Sequence, residues 1–293
     1  MKTSFVQTNK GVIEYFYSKG DSVPIVLLAG IGGSLYEWWD VIEEHLTVLT
    51  YNRSGYGQSE WSEHERTLKI ASEELDSLLQ TLGIESKVIL AGHSYGGLIA
   101  QDFAVRYPER IEGVVLIDAT SMNIHRIDEI ENSDETSTNE YWIEKCEKYS
   151  KLTSELLIKE LELELLPKYK EWESHMQEAL MNHETSPSLY RAVGSEIQHM
   201  GSCARLLKGE WFPDAPLIVI GRDPIHSSLQ QIQAGLPELE AIAIEDIWSE
   251  LIKEQTQLSK NATFIQAEGA GHNIPYDCPE LIIQAMKQLT RIR

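Results

Sequence analysis

One segment of the sequence, residues 88–107, restricts the fold more than any other. It begins with the apolar run Val88–Ala91, passes through a Gly-x-Ser-x-Gly pattern centred on Ser94, and continues with helical periodicity over Leu98–Tyr107. A short apolar run of this kind is typical of a strand that is buried on both faces. A strand that turns into a helix at a serine between two glycines predicts a hydroxyl exposed at the tip of the turn. The competing interpretation is an ordinary strand–helix turn.

Apolar runs elsewhere predict further strands of a mostly parallel sheet. The runs are Pro24–Ala29, Thr47–Tyr51, Gly113–Asp118, Pro216–Gly221 and Ala262–Ile265. Two stretches within Phe5–Tyr17, joined by Asn9-Lys10-Gly11, predict an antiparallel hairpin at the sheet edge. Helical patterns such as Leu68–Leu82 separate several strands, and this alternation is typical of an α/β protein. Residues 223–245 are predicted to be irregular and to precede a helix near Ile247–Leu258.

The alternation of strands and helices stops over residues 121–211, which are helical in pattern and rich in Glu and Lys. The side chains expected to be buried there are Trp142, Tyr149, Leu152, Leu156, Leu157, Trp172, Met176 and Leu180. Because this segment falls between two core strands, we expect it over the carboxyl ends of the sheet, where open α/β sheets bind ligands. The sequence therefore predicts a core made of residues 1–120 and 212–293 and a helical lid made of residues 121–211.

The excess of acidic residues argues against two classes of binding partner. Acidic residues number 46 and basic residues 25, for a formal net charge of −21. Such a chain repels nucleic acid and acidic membrane surfaces, so a small molecule is the expected partner. Three cysteines without metal-ligand spacing argue against a disulfide framework and for a reducing compartment. No signal-peptide core and no membrane-spanning apolar run is apparent, so the expected location is the cytoplasm.

A serine hydroxyl is a weak nucleophile until a base accepts its proton, so the turn at Ser94 calls for a histidine. His272 is the first candidate, because it follows the last predicted strand in a glycine-containing loop and precedes a helix that starts near Pro279. His93 adjoins the serine, but adjacent residues of such a turn point in different directions, so we expect it to pack or to line the pocket. The other seven histidines fall on predicted helices or polar loops, where solvation is the simpler interpretation.

The imidazole needs a carboxylate that holds its tautomer and stabilises its cation. Asp118 ends one buried strand, and Asp223 follows the strand that ends at Gly221. We favour Asp118, since an acid directly at a buried strand end needs a partner. Asp223 leads into Pro224 and a loop that could be exposed, and it stays open as the alternative.

The glycine-rich turn Gly30–Ser34 is the natural source of backbone donors for an oxyanion. The amides of Ile31 and Tyr95 are predicted to point into the site. A phosphate-binding loop is excluded for this turn, because neither the dinucleotide fingerprint nor a Gly-Lys-Ser/Thr ending is present.

Taken together, several motifs in this order resemble the α/β-hydrolase superfamily over nearly the whole chain outside the predicted lid. They are Leu27-Leu28-Ala29-Gly30, the stretch Tyr51–Ser59, the turn at Ser94, Gly271-His272 and Cys278-Pro279-Glu280. The resemblance implies the α/β-hydrolase fold, with a mostly parallel central sheet flanked by helices and an inserted helical lid. Two positions depart from the family pattern: Ala29 stands where members usually carry His, and Asn52 where they usually carry Asp.

The resemblance also bears on the acid and on the reaction. Members place the acid after either of the two candidate strands, which is compatible with Asp118 and keeps Asp223 open. Dehalogenases and epoxide hydrolases of this superfamily use an aspartate at the turn, so Ser94 disfavours both activities. The expected function is a serine hydrolase, carboxylesterase-like, acting on a small or medium uncharged ester without a metal or organic cofactor. Cleavage of amides, lactones or carbon–carbon bonds, or a ligand-binding receptor on the same scaffold, are the alternatives, and the oligomeric state is open.

Overall fold

The computed structural model describes residues 2–127, 130 and 138–290, and eight strands in it form one sheet. The strands are β1 (Ser4–Thr8), β2 (Gly11–Ser18), β3 (Ile25–Leu28), β4 (Val48–Tyr51), β5 (Val88–His93), β6 (Ile111–Ile117), β7 (Leu217–Arg222) and β8 (Ala262–Ala267). Their order across the sheet is β1-β2-β4-β3-β5-β6-β7-β8. Strands β3 to β8 are parallel, and β1 and β2 form an antiparallel hairpin at one edge. The predicted sheet and its edge hairpin are confirmed.

Ten α-helices surround or extend this sheet in the described part of the chain. They are α1 (Leu68–Thr81), α2 (Tyr95–Arg106), α3 (Asn139–Tyr149), α4 (Ser154–Leu161), α5 (Ser174–Glu184), α6 (Pro187–Leu207), α7 (Pro224–Gln233), α8 (Glu238–Glu254), α9 (Ile274–Asp277) and α10 (Pro279–Thr290). None of these helices combines the length and the hydropathy needed to cross a bilayer.

The two faces of the sheet are covered by different helices. Along β5, Val88 and Leu90 pack with α1 and α2, whereas Ile89 and Ala91 pack with α10 on the opposite face. Successive side chains of a strand point to opposite faces, and every one of these four is fully buried. The uninterrupted apolar run in the sequence is therefore the signature of a strand between two helical layers.

The segment between β6 and β7 is helical in its described part, as α3 to α6, and its role as a lid stays a prediction. Three of the side chains expected to be buried in this segment are not: Trp142 is 43% exposed, Leu156 is 48% exposed, and Leu152 is only partly buried. Leu156 and Leu157 are neighbours on α4 and point about 100° apart, so only Leu157 faces the interior. Trp142 lies in the first turn of α3, where its ring contacts the Lys145 ammonium at 4.7 Å.

The expectation of an irregular stretch over residues 223–245 is wrong, since α7 and the first half of α8 occupy it. Asp223 is the N-cap of α7, and its side chain accepts from the backbone N–H groups of Ile225 and His226. Pro224 takes the first helical position, where its fixed φ and missing N–H are tolerated. An Asp-Pro pair that suggested a loop is instead a helix start.

The order of the strands also locates the site. The strand β3 lies between β4 and β5, so the chain leaves β3 towards one side of the sheet and later returns on the other. At such a reversal the loops after the neighbouring strands separate and leave a crevice at their carboxyl ends. The loop after β3 and the turn after β5 meet at this crevice.

Candidate active site

The turn between β5 and α2 holds Ser94 in a strained conformation, with φ 52° and ψ −123°. This conformation is rare for a residue with a side chain and costs about 1–3 kcal/mol. The flanking glycines make it possible: a Cβ at Gly92 would lie 2.4 Å from the Gly96 carbonyl oxygen, and one at Gly96 would lie 2.1 Å from the carbonyl oxygen of Leu28. The serine is thereby placed at the tip of the turn, as the sequence predicts.

His272 comes from the loop between β8 and α9 and reaches the serine from far along the chain. Its Nε2 lies 3.1 Å from Oγ of Ser94, and its Nδ1 lies 2.6 Å from Oδ2 of Asp118. Because an ionised carboxylate only accepts, Nδ1 carries the proton, which leaves Nε2 free to accept from the serine hydroxyl. The three side chains form one continuous chain of hydrogen bonds.

Asp118 follows β6, has φ 40°, and its side chain is fully buried. Besides His272, it accepts from Nε1 of Trp248 at 3.0 Å and from the backbone N–H and Nη1 of Arg222, each at 3.2 Å. Burial alone would raise the pKa of Asp118, but the hydrogen bond from His272 and the charge of Arg222 outweigh it and hold the pKa near 2. The carboxyl group is therefore ionised at neutral pH.

The alternative acid, Asp223, does not contact His272. Its Oδ1 caps α7, and its Oδ2 accepts from the backbone N–H of Gly269 at 3.0 Å. Those bonds lower the pKa of Asp223, with the Gly269 amide contributing most. Of the two candidates, Asp118 is the one that the fold brings to the histidine.

His93 supports the loop that carries His272. Its Nε2 donates to the backbone carbonyl of His272 at 2.8 Å, and the two rings are 4.9 Å apart. Burial, together with the nearby His272, lowers the pKa of His93 to about 3, so this ring is neutral. The structure agrees with the expectation that it packs and lines the pocket.

The two amides predicted to bind an oxyanion flank the serine. Ile31 lies in the loop after β3, and the N–H of Tyr95 opens the first turn of α2, where the helix dipole favours negative charge. Within the described ranges, neither amide has a hydrogen-bond acceptor. Gly30 packs against Ser94, because a Cβ there would lie 3.6 Å from Oγ of Ser94. Their role as oxyanion donors stays a prediction.

A cleft of about 390 Å³ opens at these groups. It is lined by Gly30, Ile31, Gly32, Gly33, Glu37, His93, Ser94, Glu184, His272 and Asn273. Glu184 is the lining residue that comes from the inserted helices. Burial raises the pKa of Glu37 to about 7, and burial with the neighbouring Glu37 does the same for Glu184.

Sequence reasoning missed the groups that surround Asp118. Arg222 donates to Glu245 through Nε and Nη2, at 2.9 and 2.5 Å, and its guanidinium lies 4.4 Å from the centre of the Trp248 ring. A charged residue at the end of an apolar strand was a usable signal for Arg222. Glu245 and Trp248 gave none, because they lie in the stretch taken as irregular or in an amphipathic helix.

Comparison with known proteins agrees with this fold. A family model described as the α/β-hydrolase fold matches residues 23–168. An AB hydrolase superfamily protein of Gibberella zeae is 24% identical over 92% of this chain and 87% of its own. The human (lyso)-N-acylphosphatidylethanolamine lipase is 30% identical, but over only 34% of this chain and 31% of its own.

Among solved structures, the enol-lactonase from Burkholderia xenovorans LB400 superposes with a TM-score of 0.68 at 20% identity, covering 99% of this chain and 100% of that one. At this identity the likeness concerns the fold alone. The match to the family model over residues 23–168, together with the sheet described above, assigns the chain to the α/β-hydrolase superfamily.

Proposed function

We propose that this chain is a serine hydrolase that cleaves a small or medium uncharged ester through an acyl-enzyme on Ser94. The observation that carries the proposal is the unbroken series of hydrogen bonds from Ser94 through His272 to the ionised, buried Asp118. A nucleophile, a base and a group that orients the base are the three parts that acyl transfer requires.

The reaction follows from these positions. Oγ of Ser94 attacks the ester carbonyl carbon while Nε2 of His272 takes its proton, and the amides of Ile31 and Tyr95 bind the oxygen that becomes negative. As the tetrahedral intermediate collapses, the imidazolium gives the proton to the departing alcohol. A water molecule then attacks the acyl-enzyme by the same route, which releases the acid and restores the serine. No metal or organic cofactor takes part.

The charge of the cleft supports a substrate without negative charge. Two carboxyl groups, Glu37 and Glu184, line it beside Ser94, and once they ionise, at a pH above their raised pKa values of about 7, they oppose the entry of an anion. The chain as a whole carries an excess of acidic residues, which acts in the same direction. Because Glu184 belongs to α5, the inserted helices form part of the cleft wall, which supports their role as a lid.

A fluorophosphonate probe tests the nucleophile directly. We expect it to label the wild-type protein, and the labelling to vanish in Ser94→Ala while it persists in Ser202→Ala, a matched change at an exposed serine on α6. Unlabelled wild-type protein, folded by circular dichroism, would contradict the proposal and favour the receptor alternative.

A substrate panel then tests the bond that is cleaved. It would hold p-nitrophenyl esters of increasing acyl length, matching anilides, and a lactone, since a lactonase shares the fold. We expect neutral esters of short or medium length to be turned over fastest and esters with a carboxylated acyl chain to be poor substrates. Anilide or lactone turnover that exceeds every ester would reassign the substrate class.

A further inference from the structure

A fully buried guanidinium, that of Arg53, holds the loop that carries the proposed oxyanion donor. Arg53 follows β4 and is 2% exposed. Its Nη1 donates to the carbonyl of Ala29 at 2.8 Å, and its Nη2 donates to the carbonyl of Gly30 at 2.9 Å. Two consecutive peptide carbonyls of the loop after β3 are therefore fixed by one side chain.

The second of these bonds determines where the Ile31 amide points. The carbonyl of Gly30 and the N–H of Ile31 belong to the same peptide unit, which is planar and trans, so the two groups point in opposite directions. With the carbonyl directed at Arg53 in the interior, the N–H is directed away from it, towards the cleft that Gly30 and Ile31 line with Ser94. The same carbonyl also accepts from the N–H of Gly33 at 3.3 Å, so loss of Arg53 would leave it only the longer of its two hydrogen bonds. The peptide unit would then be held less firmly, and the Ile31 N–H could turn away from the cleft.

Arg53 is itself held by the inserted helices. Glu196 of α6, 1% exposed, accepts from Nε and Nη2 of Arg53 at 2.9 and 3.0 Å. The hydroxyl of Tyr56 donates to the same carboxylate at 2.5 Å and accepts from the N–H of Gly32 at 3.1 Å. Glu196 therefore reaches the loop through two side chains.

A second inserted helix contacts the same loop. Nε2 of His183, at the end of α5, donates to the carbonyl of Gly32 at 2.7 Å, and its Nδ1 accepts from the N–H of Gly57 at 3.0 Å. Burial lowers the pKa of His183 to about 4, so the ring is neutral and can donate at one nitrogen while it accepts at the other. By contrast, Ser94, His272 and Asp118 all follow core strands.

We propose that Glu196, acting through Arg53 and Tyr56, is a positioning residue for the Ile31 amide, so that the inserted helices complete the oxyanion site. The inference rests on the proposed hydrolase function. The positioning role also explains why the Arg53–Glu196 ion pair is buried. Stability alone does not explain it, because apolar side chains can often replace a buried ion pair with little loss of stability. Lysine could not replace Arg53, because the planar guanidinium serves two carbonyls and a carboxylate at once.

The test removes the whole pair, since removing one partner would leave a buried charge and destabilise the fold. In Arg53→Met/Glu196→Leu we expect kcat for a p-nitrophenyl ester to fall by about 10- to 100-fold, somewhat less than for loss of an oxyanion donor. KM should change by less than about 3-fold, because ground-state binding does not depend on this amide. The matched control is Arg66→Met/Glu74→Leu, a pair of equal burial that contacts neither carbonyl, although Glu74 also accepts from the N–H of Ser54. Its kcat should fall far less than that of Arg53→Met/Glu196→Leu.

An inhibitor separates positioning from a general structural role. An alkyl trifluoromethyl ketone adds to the serine and forms an oxyanion, so its affinity should fall in parallel with kcat, whereas the affinity for the product alcohol should not. Tyr56→Phe removes only the hydroxyl between Gly32 and Glu196, preserves packing, and should weaken the ketone by about 3- to 10-fold. This variant carries the test if the double variant fails to fold.

Wild-type kcat and ketone affinity in the folded Arg53→Met/Glu196→Leu variant, or unchanged ketone affinity in Tyr56→Phe, would overturn the inference. A different result would contradict the proposed function itself: Ser94→Ala would retain the turnover of the wild-type protein.

Discussion

The ionised state of Asp118 depends on the side chains around it rather than on solvent. Its carboxylate is fully buried, yet it accepts hydrogen bonds from His272, Trp248 and both the backbone and the side chain of Arg222. A buried charge with this many donors is stabilised, whereas an unpaired one would take up a proton. The charge in turn fixes the proton of His272 on Nδ1, which leaves Nε2 facing the serine. In the proposed mechanism, the carboxylate that contacts His272 therefore determines whether Nε2 can accept the serine proton.

Replacing each candidate acid by its amide separates the two roles. Asp118→Asn should lower kcat/KM for a p-nitrophenyl ester by about 10³- to 10⁴-fold, because an amide no longer holds the histidine tautomer. Asp223→Asn should keep kcat/KM within about 3-fold and shift stability by less than about 1 kcal/mol, since Asn is also a good N-cap. The measurements are steady-state kinetics and the thermal midpoint of each variant. Loss of turnover in Asp223→Asn alone would show that the acid is misassigned.

At the scale of elements, the sequence was most informative for strands that are buried on both faces. The run Val88–Ala91 lies between two helical layers, so all of its side chains are apolar. Such a strand can be predicted from the local sequence without knowing which helices cover it. The helix α7 was missed because it begins with Asp223 and Pro224 and exposes apolar side chains, with Ile225 72% exposed. An aspartate occurs both as an N-cap and in loops, and only the conformation of the residues that follow it distinguishes the two cases.

The turn between β5 and α2 gives a prediction at this scale. Gly96→Ala would place a Cβ 2.1 Å from the carbonyl oxygen of Leu28, so β3 and α2 would have to separate. We expect a loss of about 1–3 kcal/mol in the free energy of unfolding, measured by urea titration, and a parallel loss of turnover.

A glycine with open space around it provides the control for this change. Gly201 lies inside α6, where the nearest atom to a new Cβ is 3.8 Å away. Gly201→Ala should therefore stabilise the protein, by about 0.5–1 kcal/mol, because alanine has the higher helix propensity. Equal effects of the two substitutions would mean that the turn is not tightly packed.

For the whole molecule, contacts between distant parts of the chain could not be predicted from local patterns. Ser94 and His272 were found because their motifs are local, and the chemistry of one requires the other. Arg53 and Glu196 are 143 residues apart, and nothing near Glu196 in the sequence marks it as buried among the charged residues of α6. Local patterns also give no sign that Glu184 lines the cleft, since Glu184 meets Glu37 only in the folded chain.

That meeting of two acids has a consequence for the pH dependence of stability. The pKa of Glu184 is raised from its ordinary value of 4.5 to about 7, so the stability it contributes is complete below pH 4.5 and is lost as the pH rises through 7. Glu184→Gln cannot ionise. As the pH rises from 5 to 8, the free energy of unfolding of the variant should therefore increase relative to that of the wild-type protein, by about 1–2 kcal/mol at pH 8.

The control is Glu178→Gln, a change at an exposed site on the same helix, and its stability should follow that of the wild-type protein at every pH. Urea titrations at several pH values would measure this, and a Glu184→Gln curve parallel to wild type would mean that the carboxyl group is solvated.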